Sequence, residues 1–188
     1  MTFGEAARLG ESPADPESVA RTICLRLLTV RPRTRAELAE ALRRRLVPEE
    51  AAESILDRLV AVGLVDDEAF ARVWVSSRHT GRGLARRALA GELRSRGVAA
   101  GTVAVAVAAI DPETEMATAR NLVQRRLSAG GSASTPVQMR RLVAMLGRKG
   151  YPPAVAGKVV REALADAAGV EELAALETLS DCACGAEP

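Results

Sequence analysis

ALRRRLV at residues 41–47 returns as ELRSRGV at 92–98 and again as MLGRKGY at 145–151. Aligned on Leu42, Leu93 and Leu146, the three segments are spaced by 51 and 53 residues. Four residues upstream lie Leu38, Leu89 and Leu142, and three downstream lie Arg45, Arg96 and Lys149. At +13 come Ile55, Ala106 and Val159, and at +14 Leu56, Val107 and Val160. At −19 stand Ile23, Trp74 and Leu127, and at −23 Val19, Phe70 and Val123. Agreement in residue class at so many offsets marks an internal repeat of roughly fifty residues. A unit that small has a thin core, so neighbouring copies are expected to stack and share apolar surface. The expected fold is all-α, with three tandem three-helix repeats forming an extended, curved helical array.

Helix punctuation fits this reading. Pro16-Glu17 opens a helix with Val19, Ile23 and Leu27 on one face, which stops near Arg31-Pro32. Thr34 stands three residues before Glu37, the spacing of a capping box, and Leu38, Ala41, Leu42 and Leu46 line the helix that follows. Pro48, at a first helical position with Glu49 and Glu50 behind it, begins a third, with the stripe Ala52, Ile55, Leu56 and Leu59 and a left-handed cap at Gly63. The second copy runs through Phe70 and Trp74 to Gly81-Arg82-Gly83, then from Leu84 to Arg96 before Gly97. VAVAVAAI (103–110) alternates like a strand, but alanine is no polar outer-face residue and a lone strand has no partner, so it reads as helix. Asp111-Pro112-Glu113 starts the third copy, Gly130-Gly131-Ser132 is a loop, Ser134-Thr135-Pro136 opens a helix capped at Gly150, and Pro152-Pro153 opens the last. The expected organisation is a flexible arm (1–15), repeats at 16–65, 66–110 and 111–165, and an acidic flexible tail (166–188).

The composition agrees. The chain is 48% hydrophobic but only 2% aromatic, an Ala, Leu and Val core that suits close-packed helices better than a sandwich. No apolar run is long enough to span a membrane, and MTFGEAARLG does not resemble a secretory leader. Cys24, Cys182 and Cys184 make no disulfide framework, which points to a reducing cytoplasm. The formal charge of +2 hides an asymmetry: residues 162–188 hold seven acids and no Lys or Arg, whereas 17–161 hold 25 basic and 14 acidic residues, a net of +11. A basic body with acidic ends calls for a polyanionic or acidic partner.

Few residues suggest catalysis. His79 has no nucleophile or carboxylate cluster at a useful spacing and reads as a solvated residue near a helix end. Cys182 and Cys184 alone make a poor metal site. Asp66-Asp67-Glu68, at the start of a helix, read as caps and dipole compensation rather than metal ligands. No Walker, GxGxxG, GxSxG or HExxH pattern occurs. The chain is expected to work by binding, with no catalytic residue, metal or cofactor. Arg43, Arg44 and Arg45 close the first middle helix, Arg94 and Arg96 the second, Arg148 and Lys149 the third. The helix dipole favours one or two such charges, by roughly 0.3–1 kcal/mol each, more easily than three in a row. Arg82, Arg86, Arg87, Arg140 and Arg141 lie near helix starts, where the dipole opposes them. These twelve residues are the candidate contacts for an acidic groove or a phosphate backbone.

TRAELAEALRRRLVPEEAAESILDRLVAVGLVDD (34–67) also looks like a winged helix-turn-helix, the mark of a DNA-binding transcription regulator. A wing needs two strands, however, and residues 66–78 carry helical spacing. The chain instead resembles the RecX regulators of the bacterial recombinase RecA, on LLTVRPRTRAELAEALRRR (27–45), GLVDDEAFA (63–71), ELRSRGV (92–98) and LGRKGYPPAVAGKVVREAL (146–164) in order. The resemblance covers about residues 17–164. It implies a small cytoplasmic protein, a monomer, that binds the RecA–single-stranded-DNA filament and inhibits its recombinase, ATPase and coprotease activities. DNA repair and the SOS response would thereby be regulated, with direct single- or double-stranded DNA binding as a second contact and no membrane partner. The family offers no catalytic residues to carry over. Asp66, Asp67 and Phe70 would serve capping and packing.

Overall fold

The computed structural model describes residues 15–129 and 135–183. The arm before Asp15, the Gly130-Gly131-Ser132 loop, Ser134, and the side chains of Val170 onward, with Cys182 and Cys184, lie outside the described residues. The described residues form helices only: α1 Pro16–Val30, α2 Arg35–Arg43, α3 Glu49–Ala61, α4 Asp67–Arg82, α5 Arg86–Ser95, α6 Ala100–Ala108, α7 Pro112–Ser128, α8 Thr135–Arg148 and α9 Pro153–Ala183. The 103–110 run is helical as far as Ala108, where α6 ends. Residues 67–82, where a wing would lie, are helix α4. No helix among the described residues is long and apolar enough to cross a membrane. The backbone of α9 passes through the boundary expected at 165.

Two compact units emerge. Among the described residues, unit 1 holds those up to Ala71 with Arg94–Thr102, and unit 2 holds Arg72–Leu93 with those from Val103 on. In unit 1, Ala20 and Cys24 of α1, Leu38 and Leu42 of α2, and Ala52, Ile55, Leu56 and Leu59 of α3 share one core with Val65. Each fully buried leucine there contributes about 1.5–3 kcal/mol through removal from water. Burial pushes the Cys24 thiol above its ordinary value, which marks it as an inert core residue. In unit 2, Ala119 and Val123 of α7, Leu142 and Leu146 of α8, and Ala156, Val159 and Val160 of α9 pack with Ala85 and Tyr151.

The aligned positions at 0 and −4 are all buried: Leu42, Leu93, Leu146, Leu38, Leu89 and Leu142. At +4 stand Leu46, Gly97 and Gly150, with φ of 58°, 76° and 92°, so each middle helix leaves through a left-handed residue. Leu46 therefore does not line α2 as its spacing suggested. The helix ends at Arg43, and the reversal turns Leu46 outward, 90% exposed. For the first helices, the alignment at −19 and −23 falls one position short of the most buried residues in the first two copies and meets one of them, Val123, in the third. Those are Ala20 and Cys24, Ala71 and Val75, and Ala119 and Val123, a register shift that differs between copies because the link from α7 to α8 is longer.

Caps explain where helices begin. Asp15 accepts from Glu17 and Ser18 N–H, and Asp111 accepts from Thr114 N–H at 2.7 Å, each with proline next. Pro48 is the cap residue of α3 rather than its first helical residue, and it supplies no side-chain bond. Only half of the expected capping box forms: Thr34 Oγ1 accepts from Glu37 N–H at 3.1 Å, but the Glu37 carboxylate is taken by Arg31 and Arg96. Asp66 caps its own helix, accepting from Ala69 N–H at 2.8 Å. Asp67 instead accepts the Arg35 N–H, the first of α2, at 2.9 Å. Unit 2 repeats this device, with Glu115 in the first turn of α7 accepting the Arg86 N–H, the first of α5, at 2.7 Å. The Asp67→Ala variant strands the Arg35 donor and is expected to lower stability by about 1 kcal/mol. Urea unfolding checks this; an unchanged midpoint would show that water replaces the carboxylate.

Candidate partner-binding surface

The strongest concentration of charge in unit 1 is a groove of about 570 Å³ where the end of α1, the length of α2 and the end of α5 meet. Arg31, Arg33, Arg44, Arg45, Arg94 and Arg96 line it, against the carboxylates Glu37 and Glu40. The α1–α2 link places the first two, because Pro32 prevents α1 from running on and leaves arginines on both sides of it. Gly97 closes the wall: a Cβ there would strike that of Ala36 in the first turn of α2. Thr34, fully buried, locks the same corner by donating its hydroxyl to the Arg96 carbonyl at 2.7 Å.

The guanidiniums fall into two groups. Arg31 (3.0 Å) and Arg96 both hold Glu37, and Arg44 shares Glu40 with Arg43 at 2.8 and 2.7 Å. Burial opposes the Glu37 charge, but the hydrogen bond and field of Arg31 and the field of Arg96 outweigh it, so its carboxyl titrates below the ordinary value. Arg33, Arg45 and Arg94 form the second group. Arg33 Nε donates to the Leu27 carbonyl at 3.4 Å and Arg45 Nη1 to the Ala41 carbonyl at 3.0 Å. Neither they nor Arg94 meets a carboxylate among the described residues. Three uncompensated cations in one groove make an anion-attracting surface.

Of the twelve candidates, the groove gathers Arg44, Arg45, Arg94 and Arg96, while Arg43 is outside its lining. The other seven belong to unit 2. There Arg86 is tied to Glu115 through both its N–H and its Nε, at 2.7 and 3.0 Å. Lys149 Nζ donates to the Arg82 carbonyl, and its own carbonyl accepts the Ala85 N–H at 2.9 Å. Arg82, Arg87, Arg140, Arg141 and Arg148 are exposed. At the aligned +3 position, what Arg96 and Lys149 share is thus a carbonyl that anchors the start of an earlier middle helix, as well as a charge. Arg31 and Arg33 were missed by a reading that looked only at helix ends, although the V-R-P-R-T-R run (30–35) shows three arginines about one proline. Arg35 is held by Glu53 and Asp57, at 2.6 and 2.7 Å.

His79 differs from its expectation as a solvated residue. It is buried, with Nδ1 at 2.9 Å from the Leu84 carbonyl and Nε2 at 3.1 Å from the Thr118 hydroxyl, so it joins α4 to α7 within unit 2. Tyr151 is buried too, donating to the Gly83 carbonyl at 3.2 Å. Burial first, and then the Glu115 charge, push its phenol up to about 12.

Residues 20–59 match the family model described as the first three-helix domain of RecX, and residues 66–107 that described as the second. The chain is 56% identical to the Regulatory protein RecX of Streptomyces coelicolor over 163 residues, which cover 87% of either chain. It is 57% identical to that of Thermobifida fusca over 160 residues, covering 85% of this chain and 86% of the other. The chain belongs to the RecX family. Among solved structures, RecX from Lactobacillus salivarius superposes with a TM-score of 0.68 at 18% identity, covering 80% of this chain and 97% of that one. A second regulatory protein RecX gives 0.63 at 24% identity, over 76% and 70%. At these identities the likeness is one of fold. Asp66 and Asp67, in the segment that carried the resemblance to RecX, serve as the caps described above, and Phe70 is half-buried.

Proposed function

We propose that this RecX-family chain is a negative modulator of RecA: it binds the RecA–single-stranded-DNA filament and inhibits its recombinase, ATPase and coprotease activities. Repair and the SOS response are thereby restrained. The observation that carries this reading is the unit 1 groove, where Arg33, Arg45 and Arg94 present three cations that meet no carboxylate among the described residues. A filament of protein on a polyanion offers what such a surface needs, phosphates and acidic side chains in a regular row. The relatives' name, regulatory protein, agrees with a protein that acts by binding. In this reading it acts as a monomer in the cytoplasm, where the filament forms, and needs no cofactor.

The test is RecA's single-stranded-DNA-dependent ATPase with substoichiometric amounts of the full chain. A fall in rate, relieved as salt is raised, is the expected result. An unchanged rate with intact filaments by electron microscopy would overturn the reading, and preference for one duplex sequence without RecA would favour a transcription regulator.

A further inference from the structure

Leu46 breaks two local rules at once. Its φ of 58° lies in the left-handed region, and it is the one non-glycine residue among the described residues to do so. Its side chain is also the most exposed of the large apolar ones described, at 90%. The cap itself does not require leucine. Its bonds are backbone bonds, Leu46 N–H to Arg43 O at 3.0 Å and Val47 N–H to Leu42 O at 3.2 Å, and Gly97 and Gly150 stand at the aligned positions of the other middle helices. Glycine would relieve the conformation and remove the exposed side chain. Leu46 belongs to no core cluster, so the fold gains nothing from it. A residue that is strained, apolar and useless to its own core suits a role outside the chain.

Its surroundings indicate that role. Arg44 and Arg45 precede it and line the cationic groove with Arg33 and Arg94. An exposed aliphatic tip next in sequence to groove arginines suits a protein interface, with a buried anchor within a charged rim. Bare nucleic acid is bound differently, by aromatic platforms, and Phe70, half-buried, is the one aromatic residue of unit 1 among those described. We propose that Leu46 is the apolar anchor of a protein–protein contact, inserting into an apolar pocket that carboxylates surround on the partner, while the groove arginines engage that acidic rim. The proposal rests on the groove being the contact surface and adds that what it meets first is protein rather than phosphate.

The test is Leu46→Gly in the full chain, with Leu46→Asn beside it because asparagine also tolerates a left-handed φ. Both are expected to hold or raise the melting temperature, the glycine variant by about 2–4 °C. Both should weaken binding to RecA filaments on single-stranded DNA by about tenfold or more, while affinity for the same bare DNA changes less than about twofold. Unchanged filament affinity in both variants overturns the anchor. An equal loss on bare DNA also overturns it, making Leu46 a wedge between bases instead. A parallel Arg33→Glu, Arg45→Glu, Arg94→Glu variant separates the two levels: if it binds filaments normally, the groove reading itself fails. If it loses binding while the Leu46 variants keep theirs, only the anchor fails.

Discussion

Replacing Gly150 by alanine is expected to destabilise the protein by about 2–5 kcal/mol, a large part of a small domain's stability. Two costs add. The residue holds a φ of 92°, which an L side chain adopts only at roughly 1–2 kcal/mol. A Cβ there would also lie 2.6 Å from the Ala88 Cβ, 2.7 Å from its N and 3.1 Å from its Cα. These are backbone and β atoms that no rotamer change can move, so the clash resembles core overpacking at about 1–3 kcal/mol. Both costs fall on one corner of unit 2, where the Tyr151 and Ala85 hydrogen bonds converge. Thermal unfolding followed by circular dichroism should show a fall in melting temperature of roughly 2–4 °C per kcal/mol. Gly147, three residues earlier and inside α8, is the control: nothing lies within 4 Å of a Cβ there. Its alanine variant should be neutral or slightly more stable, since alanine is the better helix former by about 0.5–1 kcal/mol. Equal behaviour of the two variants would show that the close approach at Gly150 is not what fixes the cap.

That contrast explains what was legible in the sequence. The Leu38/Leu42 spacing and its two echoes predict helices and their buried faces, because helical periodicity acts on a single element. The starts at Pro16 and at Asp111-Pro112 were readable for the same reason, since the caps there, Asp15 and Asp111, serve their own helices. Devices that join elements were less visible. Asp66 and Asp67 look equivalent in sequence, yet one bonds Ala69 three residues on and the other Arg35, 32 residues back. His79 has neighbours in sequence that suggest an exposed helix end, and its burial comes from α7, 39 residues later. The groove was half legible. Charge counting found Arg44, Arg45, Arg94 and Arg96 but did not sort out the neutralised ones: Glu40 meets Arg44 as a local i,i+4 pair, whereas Glu37 reaches Arg96 only through the fold. Apolar spacing placed Leu46 on the lining of α2, since a stripe of apolar residues gives no sign that the helix has ended three residues earlier.

Reversing Arg33, Arg45 and Arg94 to glutamate is expected to raise the concentration needed for half-inhibition of the RecA ATPase by about a hundredfold or more. The substitution replaces three attractive charges by three repulsive ones in a single groove, where Glu37 and Glu40 then add to the repulsion. Stability should change little, because none of the three side chains is buried. The two backbone bonds lost, from Arg33 to Leu27 and from Arg45 to Ala41, are on partly exposed groups that water can serve. The comparison that gives the result meaning is Arg43→Gln. Arg43 also carries a positive charge at the end of α2, but it rests on Glu40 and does not line the groove, so a change below about threefold is expected. Salt titration supplies a second, independent readout: inhibition by the parent chain should weaken steeply with ionic strength, and residual inhibition by the triple variant should depend on it far less. If the triple variant instead inhibits like the parent, the contact lies elsewhere. The exposed Arg87, Arg140, Arg141 and Arg148 of unit 2 would then be the surface to reverse next, since exposed charge of that sign still calls for an anionic partner.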